Sequence, residues 1–275
     1  MTIAISMKVN DGIVLATDSA ATIAAESISE NTYKVAKIYY NAEKLFNLFK
    51  GHPIGVITWG TGSIGKSSIS TIIKDFRKNY SEQIKENDYS IESIALKLSE
   101  FVYNVHFKDT YKNWKVKPPH IGFMVSGYSK AKDFGEEWKF DIINGELTEP
   151  YKIRGENQSG ITWNGEHEAI FRMIKGYSSK LPSLLNSLEI DSKIHDKILT
   201  EADKQLTTPF ILAPMPIHDA IDLANFLVDT TINFFKFAPG AEVVGGPIDI
   251  AVITKHEGFK WIKRKYYYDS ELNPC

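Results

Sequence analysis

Two segments of this chain carry residue types whose spacing suits chemistry. The first is the N-terminus, where Thr2 follows Met1 and leads into an apolar segment, an Asn10-Asp11-Gly12 turn and a second apolar segment ending at Asp18. Loss of Met1 would leave a threonine that carries nucleophile and base on one residue. Its hydroxyl is inert at its own pKa, whereas an α-amino group titrates near pH ~8 and can accept the hydroxyl proton. The second segment is Gly60-Thr61-Gly62-Ser63-Ile64-Gly65-Lys66-Ser67, which satisfies the glycine-rich phosphate-binding pattern between an apolar run and a helical pattern. One points to acyl transfer and the other to a nucleotide.

Composition bounds both readings. The chain has 275 residues, 43% hydrophobic and 24% charged, enough to bury a sizeable core. A formal net charge of -2 and the lack of basic runs leave no electrostatic footprint for nucleic acid or an anionic membrane. The single cysteine, Cys275, allows no intramolecular disulfide. Neither a basic-then-apolar leader nor a stretch of about 18 apolar residues occurs, so the expected location is the cytoplasm. The histidines lack metal-ligand spacing, and no metal or cofactor is expected.

The elements that must position these residues switch period in a definite order. Thr2–Val9 and Ile13–Ser19 read as strands, and the Asn-Asp-Gly between them is hairpin chemistry. A polar connector follows, then short strands over Lys34–Tyr40 and Lys44–Phe49 and a buried strand over Pro53–Trp59. Helical patterns cover about Ile64–Tyr80 and Ser90–His106. Strands follow around His120–Tyr128, Trp138–Ile143 and Gly160–Trp163, then a helix over about Glu166–Tyr177. Residues 178–216 are polar, partly helical and read as an insertion. A long helix over Ile217–Phe237 and strands over Ile248–Thr254 and Phe259–Ile262 close the pattern. The aromatic groups Phe234, Phe235 and Phe237, and Tyr266-Tyr267-Tyr268, are assigned to packing or assembly. This order predicts an α/β fold, a four-layer αββα sandwich with two mostly antiparallel sheets between helix layers, in one domain over residues 1–275.

The segment from Thr2-Ile3-Ala4-Ile5 through Asp11-Gly12-Ile13-Val14-Leu15-Ala16-Thr17-Asp18-Ser19 to Thr22 resembles the start of proteasome β-type subunits, which are N-terminal-nucleophile hydrolases. Sixteen positions separate Thr2 from Asp18, as they separate the catalytic threonine from its acidic partner in that family. Lys44-Leu45-Phe46 matches the family's lysine-bearing strand, and Gly60 its glycine at the end of a buried strand. Ala220-Ile221-Asp222-Leu223-Ala224 and Gly246-Pro247-Ile248-Asp249-Ile250 resemble its C-terminal helix and strand.

The resemblance implies a bacterial proteasome-like peptidase in which the Thr2 hydroxyl attacks a peptide or other amide carbonyl and the Thr2 α-amine is the base. Lys44 would lower that amine's pKa by like-charge repulsion, and Asp18 would hold Lys44 by a charge-assisted hydrogen bond. The Gly60 N–H would stabilise the oxyanion, a contact worth roughly 3 kcal/mol. Ser19 and Thr22 lie where the family contacts substrate backbone. Two positions depart from the pattern. Where the family has an aspartate three residues before a Ser-Gly pair, this chain reads Ala241-Glu242-Val243-Val244-Gly245, so that network is rebuilt with Glu242 or lost. Asn164 in Trp163-Asn164-Gly165 stands where the family has a serine, and asparagine can still donate a hydrogen bond.

The resemblance also implies a homo-oligomeric ring enclosing a chamber, a polypeptide or small amide substrate, and a separate ATPase that delivers unfolded chains. Two other readings stay open: a catalytically silent structural subunit, if Met1 is retained, and a nucleotide-binding protein using Gly60–Ser67. Against the latter, no strand ends in a magnesium-binding aspartate, and a phosphate-binding core needs parallel βαβ units where this chain opens with a hairpin. Lys44→Ala is expected to abolish activity with little change in melting temperature.

Overall fold

Ile3–Val9 (β1) and Gly12–Thr17 (β2) form the expected hairpin, in register from Ala4↔Thr17 to Val9↔Gly12, and every residue of both strands is buried. Strands covered on both faces must lie between other layers. The structure, a computed structural model, describes residues 2–29, 32–86, 88–130 and 132–265; Met1, Tyr266–Tyr268 and Cys275 lie outside the described residues. Ala21–Ser29 (β3) and Thr32–Tyr39 (β4) form a separate two-stranded hairpin. The sequence suggests only a polar connector for β3, because Ala-Thr-Ile-Ala-Ala-Glu-Ser-Ile-Ser has no period of two and is held extended by its partner.

Leu45–Asn47 (β5) and Ile54–Gly60 (β6) follow. The glycine-rich segment then departs from the nucleotide reading. Ser63–Ile64 (β7) and Ser67–Ser68 (β8) close a small hairpin around the exposed Lys66, and the helix Ile69–Glu86 (α1) starts only beyond it. Ser68 Oγ accepts from the Thr71 amide in the first turn, at 3.1 Å. A phosphate cradle needs a strand feeding its loop directly into a helix N-terminus, so the nucleotide-binding reading is corrected. Ile91–Glu100 (α2) is opened by Ser90, whose hydroxyl accepts from the Ser93 amide at 3.0 Å. It continues through a π-helical stretch, Phe101–Phe107, into Lys108–Tyr111 (α3), past the expected end at His106.

The remaining elements are Ile121–Gly127 (β9), Glu136–Ile143 (β10), Glu146–Leu147 (β11), Tyr151–Lys152 (β12), Gly160–Gly165 (β13), Glu168–Lys175 (α4), Leu181–Ser187 (α5), Ser192–Leu206 (α6), Ile217–Phe237 (α7), Asp249–Thr254 (β14) and Gly258–Lys263 (β15). One sheet has the order β13-β1-β2-β14-β15 and the other β11-β10-β9-β6-β5, with β12 on β10. Their ladders are antiparallel. The molecule is thus a mixed α/β fold built on antiparallel sheets.

Strand periodicity sends alternate residues to different clusters. Ile3, Ile5 and Met7 pack with Ala220, Ala224, Leu227 and Val228 of α7 and Ile170 of α4. Ala4, Ile13 and Leu15 instead meet Leu45, Ile57, Trp59 and Met124 of the second sheet. Val56, Phe123, Val125 and Phe140 of that sheet pack with Ile72, Ile73 and Phe76 of α1 and Ile94 and Leu98 of α2. Each buried Val, Leu, Ile, Phe or Met side chain among them stabilises the fold by about 1.5–3 kcal/mol. Among the described residues no helix is long and apolar enough to cross a membrane.

Residues 178–216 carry α5 and α6, and α6 buries none of its residues. The segment is tied to α4 near both ends. Glu168 accepts from Ser178 Oγ at 2.5 Å, from the Ser179 amide at 3.1 Å, from Arg172 Nε at 2.6 Å and from Ser179 Oγ. The Thr208 amide reaches the Ile174 carbonyl at 2.8 Å. Burial pushes the Glu168 carboxyl up, but these donors outweigh it and hold the group down at about 2. A depressed carboxylate contributes stability that is complete above its unfolded value of 4.5 and is lost as pH falls toward about 2. In urea melts, Glu168→Gln should be less stable than wild type by about 1–3 kcal/mol at pH ~7, with the gap closing between about 4.5 and 2.5. A gap that stays constant across that interval would show that the charge on Glu168 holds nothing.

Candidate active site

Asp18 follows β2 and is completely buried. A carboxylate in that position requires donors on both oxygens. Oδ1 accepts from the Ile3 amide at 3.0 Å and from Lys44 Nζ at 2.6 Å, and Oδ2 accepts from the Ala20 and Gly245 amides, each at 3.1 Å. Lys44, just ahead of β5, is buried with it. Burial draws the Lys44 ammonium below the ordinary lysine range, while the charge and hydrogen bond of Asp18 act the other way. Through the Ile3 amide this pair is fastened to the residue next to Thr2.

Thr2 precedes β1, and its carbonyl accepts from the Glu166 amide at 2.7 Å. Gly60 ends β6 at φ +90°, where a Cβ would lie 2.3 Å from the His120 carbonyl oxygen, so a side chain there meets both strain and a backbone clash. Thr2 and Gly60 line one cleft of about 460 Å³, together with Trp59, His120, Lys139, Asp141, Ile143, Trp163, Asn164, Gly165, Glu166 and His167. Of the residues singled out from the sequence, Thr2, Gly60 and Asn164 therefore share a cleft wall, and Asp18 and Lys44 sit off its lining.

Ser19, Thr22 and Glu242 are not brought to this cleft. Ser19 is fully buried, its hydroxyl donating to the Pro247 carbonyl at 2.6 Å and accepting from Lys265 Nζ at 2.7 Å. Lys265 also pairs with Asp249 at the start of β14, a second, part-buried ion pair. Thr22 lies on β3 and is not among the lining residues, and Glu242 is exposed. The 241–245 segment, where the sequence left a network either rebuilt with Glu242 or lost, supplies the backbone amide of Gly245 to Asp18.

A polar cluster that the sequence reading missed forms the rest of the cleft. Trp59, Gly122 and Asp141 stand in one row across β6, β9 and β10. A Cβ on Gly122 would lie 2.2 Å from the Trp59 ring and 2.3 Å from Asp141 Oδ1, so the glycine is what lets those two side chains meet. Asp141 Oδ1 accepts from Trp59 Nε1 at 3.2 Å and lies 2.9 Å from His120 Nε2. Lys139 Nζ lies 3.5 Å from Asp141 Oδ2, 2.8 Å from Asn164 Oδ1 and 5.0 Å over the Trp59 ring. The available signal was the alternation Glu137, Lys139, Asp141 on one face of β10, which ordinarily marks a solvent face. Here Glu137 is fully buried, held by Arg154 and by Ser6 Oγ at 2.5 Å. On the same cleft, burial pushes the Glu166 carboxyl above the usual carboxylate range.

Removing Lys44 would leave Asp18 buried with three backbone donors and no counter-charge. Lys44→Ala should therefore lower stability by about 3 kcal/mol, which corrects the expectation of a nearly unchanged melting temperature. Thermal melts decide this: a melting temperature within about one degree of wild type would show that the pair adds nothing to the fold.

No family model matches this chain, and no curated protein matches it. Among solved structures it is similar to the Anbu (Gly-1) mutant from Hyphomicrobium sp. strain MC1, with 15% identity over 98% of this chain and 90% of that one and a TM-score of 0.51. A helical assembly of the Anbu complex from Pseudomonas aeruginosa is matched at 16% identity over 98% of this chain and 90% of that one, with a TM-score of 0.48. The first likeness is one of fold. It corrects the assignment to proteasome β-type subunits, because the solved structure matched there is an Anbu chain. The motifs behind that assignment, a hairpin ending in Asp18 and a strand opened by Lys44, describe local geometry more than one family. The fold of this chain is Anbu-like.

Proposed function

We propose that this chain is an N-terminal-nucleophile hydrolase that cleaves peptide or small amide bonds through Thr2 after removal of Met1. The observation that carries this reading is the placement of Thr2 and Gly60 on one cleft, with the buried Asp18–Lys44 pair fastened through Ile3 to the residue beside Thr2. The Anbu-like fold supports it. On this reading the layers of helix, sheet, sheet and helix are the αββα sandwich of that class, residues 1–275 are one domain, and residues 178–216 are an insertion in it. Exposed apolar residues such as Leu184, Ile194, Phe226 and Phe237 supply surface for self-association.

The chemistry runs in two halves. The uncharged Thr2 amine takes the hydroxyl proton, directly or through a water, as Oγ adds to the carbonyl carbon. Lys44, held by Asp18, keeps a fraction of that amine neutral by like-charge repulsion. The oxyanion is met by the Gly60 N–H, a contact worth roughly 3 kcal/mol. As the C–N bond breaks, the ammonium returns its proton to the leaving nitrogen, and an ester remains on Oγ. A water deprotonated by the same amine then adds to that ester, releasing the acid and restoring the hydroxyl.

The test is the intact mass of the purified protein after incubation with a peptide epoxyketone, which closes a ring on the amine and hydroxyl of an N-terminal threonine. The expected result is loss of Met1 and one adduct per chain, no adduct with Thr2→Ala, and labelling slowed by about 100-fold in Gly60→Ala, where the Cβ clash with the His120 carbonyl displaces the Gly60 N–H. Retained Met1 with no adduct would overturn the reading and make the chain a catalytically silent scaffold.

A further inference from the structure

Two of the residues that line the cleft with Thr2, Lys139 and Asn164, carry hydrogen-bond donors that the described residues leave unmatched. Lys139 Nζ donates to Asn164 Oδ1 at 2.8 Å, and that bond fixes which way the amide faces, since turning it over would set two donors against each other. Asn164 Nδ2 is then a buried donor with no acceptor among the described residues. Lys139 has three N–H groups. One goes to Asn164, a second is drawn toward Asp141 Oδ2 at 3.5 Å, and for the third no acceptor is present among the described residues. Asp141 is a weakened counter-charge, because its other oxygen already serves Trp59 Nε1 and faces His120 Nε2. The ammonium is held in place over the Trp59 ring, and Ile143 and Trp163 give the cleft apolar wall.

Resting on the reading of Thr2 as nucleophile, we propose that Lys139 and Asn164 form a carboxylate subsite, so that substrates of this cleft present an acidic side chain beside the amide bond under attack. A carboxylate offers an oxygen to each donor and gives the buried Asn164 amide the bond it lacks. A glutamine side chain offers one oxygen and sets its own NH₂ against the other donor. A lysine side chain meets an ammonium, and an apolar one leaves both donors unbonded. Glu166, a further carboxyl on the lining, belongs to the Thr2 end, where its amide holds the Thr2 carbonyl. Its burial favours the neutral form, which lessens its repulsion of an acidic ligand.

Four peptide epoxyketones that differ only in the side chain next to the reactive ketone, Glu, Gln, Lys or Leu, test this by their rates of labelling the full chain. The Glu probe should label about tenfold faster than the Gln and Lys probes. In Lys139→Met that preference should vanish while the Leu probe labels at least as fast as it does wild type, since the ammonium it left unbonded is gone, and Lys139→Arg should retain part of the preference. Asn164→Leu, which keeps Lys139, should also lose much of the preference and serves if Lys139→Met does not fold. Equal wild-type rates for Glu and Gln, or a preference that survives in Lys139→Met, would overturn the subsite. So would a Lys139→Met variant slowed equally with every probe, which would assign Lys139 to the shape of the cleft. Failure of all four probes to label Thr2 would instead overturn the reading of Thr2 itself.

Discussion

The Asp18 carboxylate is the constraint on which the rest of this structure depends. It is fully buried, and its donors come from four places in the chain: Ile3 at the head of β1, Ala20 beyond β2, Lys44 ahead of β5 and Gly245 ahead of β14. An ionised group out of water costs several kcal/mol unless it is paired and hydrogen-bonded, so these four segments must arrive together or not at all. Three belong to one sheet and its connections, and Lys44 enters the other sheet at β5. The buried ion pair therefore joins the two sheets at the end where Thr2 lies, and the second pair, Asp249–Lys265, fixes Ser19 beside it.

A cleft at this end follows from where backbone, rather than side chain, fills space. Gly60 lets β6 end against the His120 carbonyl, and Gly122 lets Trp59 reach Asp141 across β9. The surfaces left open carry polar groups on the face of β10 that looks toward the other sheet. Such groups are tolerated because they satisfy one another: Glu137 with Arg154 and Ser6, Asp141 with Trp59 and His120, Lys139 with Asn164. Asn164 Nδ2 is where that mutual satisfaction is incomplete.

Much of the candidate site was legible because it lies in local patterns. The Asn-Asp-Gly turn sets the β1–β2 hairpin, and the hairpin carries Asp18 back to the start of the chain beside Ile3. Lys44 and Gly60 flank short apolar runs that read as strands. What was not legible is decided by contacts distant in sequence. Pro247 and Lys265 engage the hydroxyl of Ser19, which the sequence offered as a substrate contact. The glycine-rich Gly60–Ser67 segment fits a phosphate-binding pattern by composition, yet it folds as a hairpin because β6 has antiparallel neighbours and α1 starts late. A motif states which conformations a backbone can take, and neighbouring strands choose among them.

By itself the sequence determined the mixed α/β class, the hairpin that returns Asp18 to Ile3, and the candidacy of Thr2, Lys44 and Gly60, since each depends on periodicity, turn chemistry or short spacing. Only the tertiary structure decided that Lys139, Asp141, His120 and Trp59 share the cleft with Thr2, and that Ser19, Thr22 and Glu242 do not. The reason is physical. Alternation along a strand sorts residues into two faces, but whether a charged face meets water or a second sheet depends on partners supplied from far along the chain, here Arg154, Asn164 and Ser6, whose approach no local pattern records.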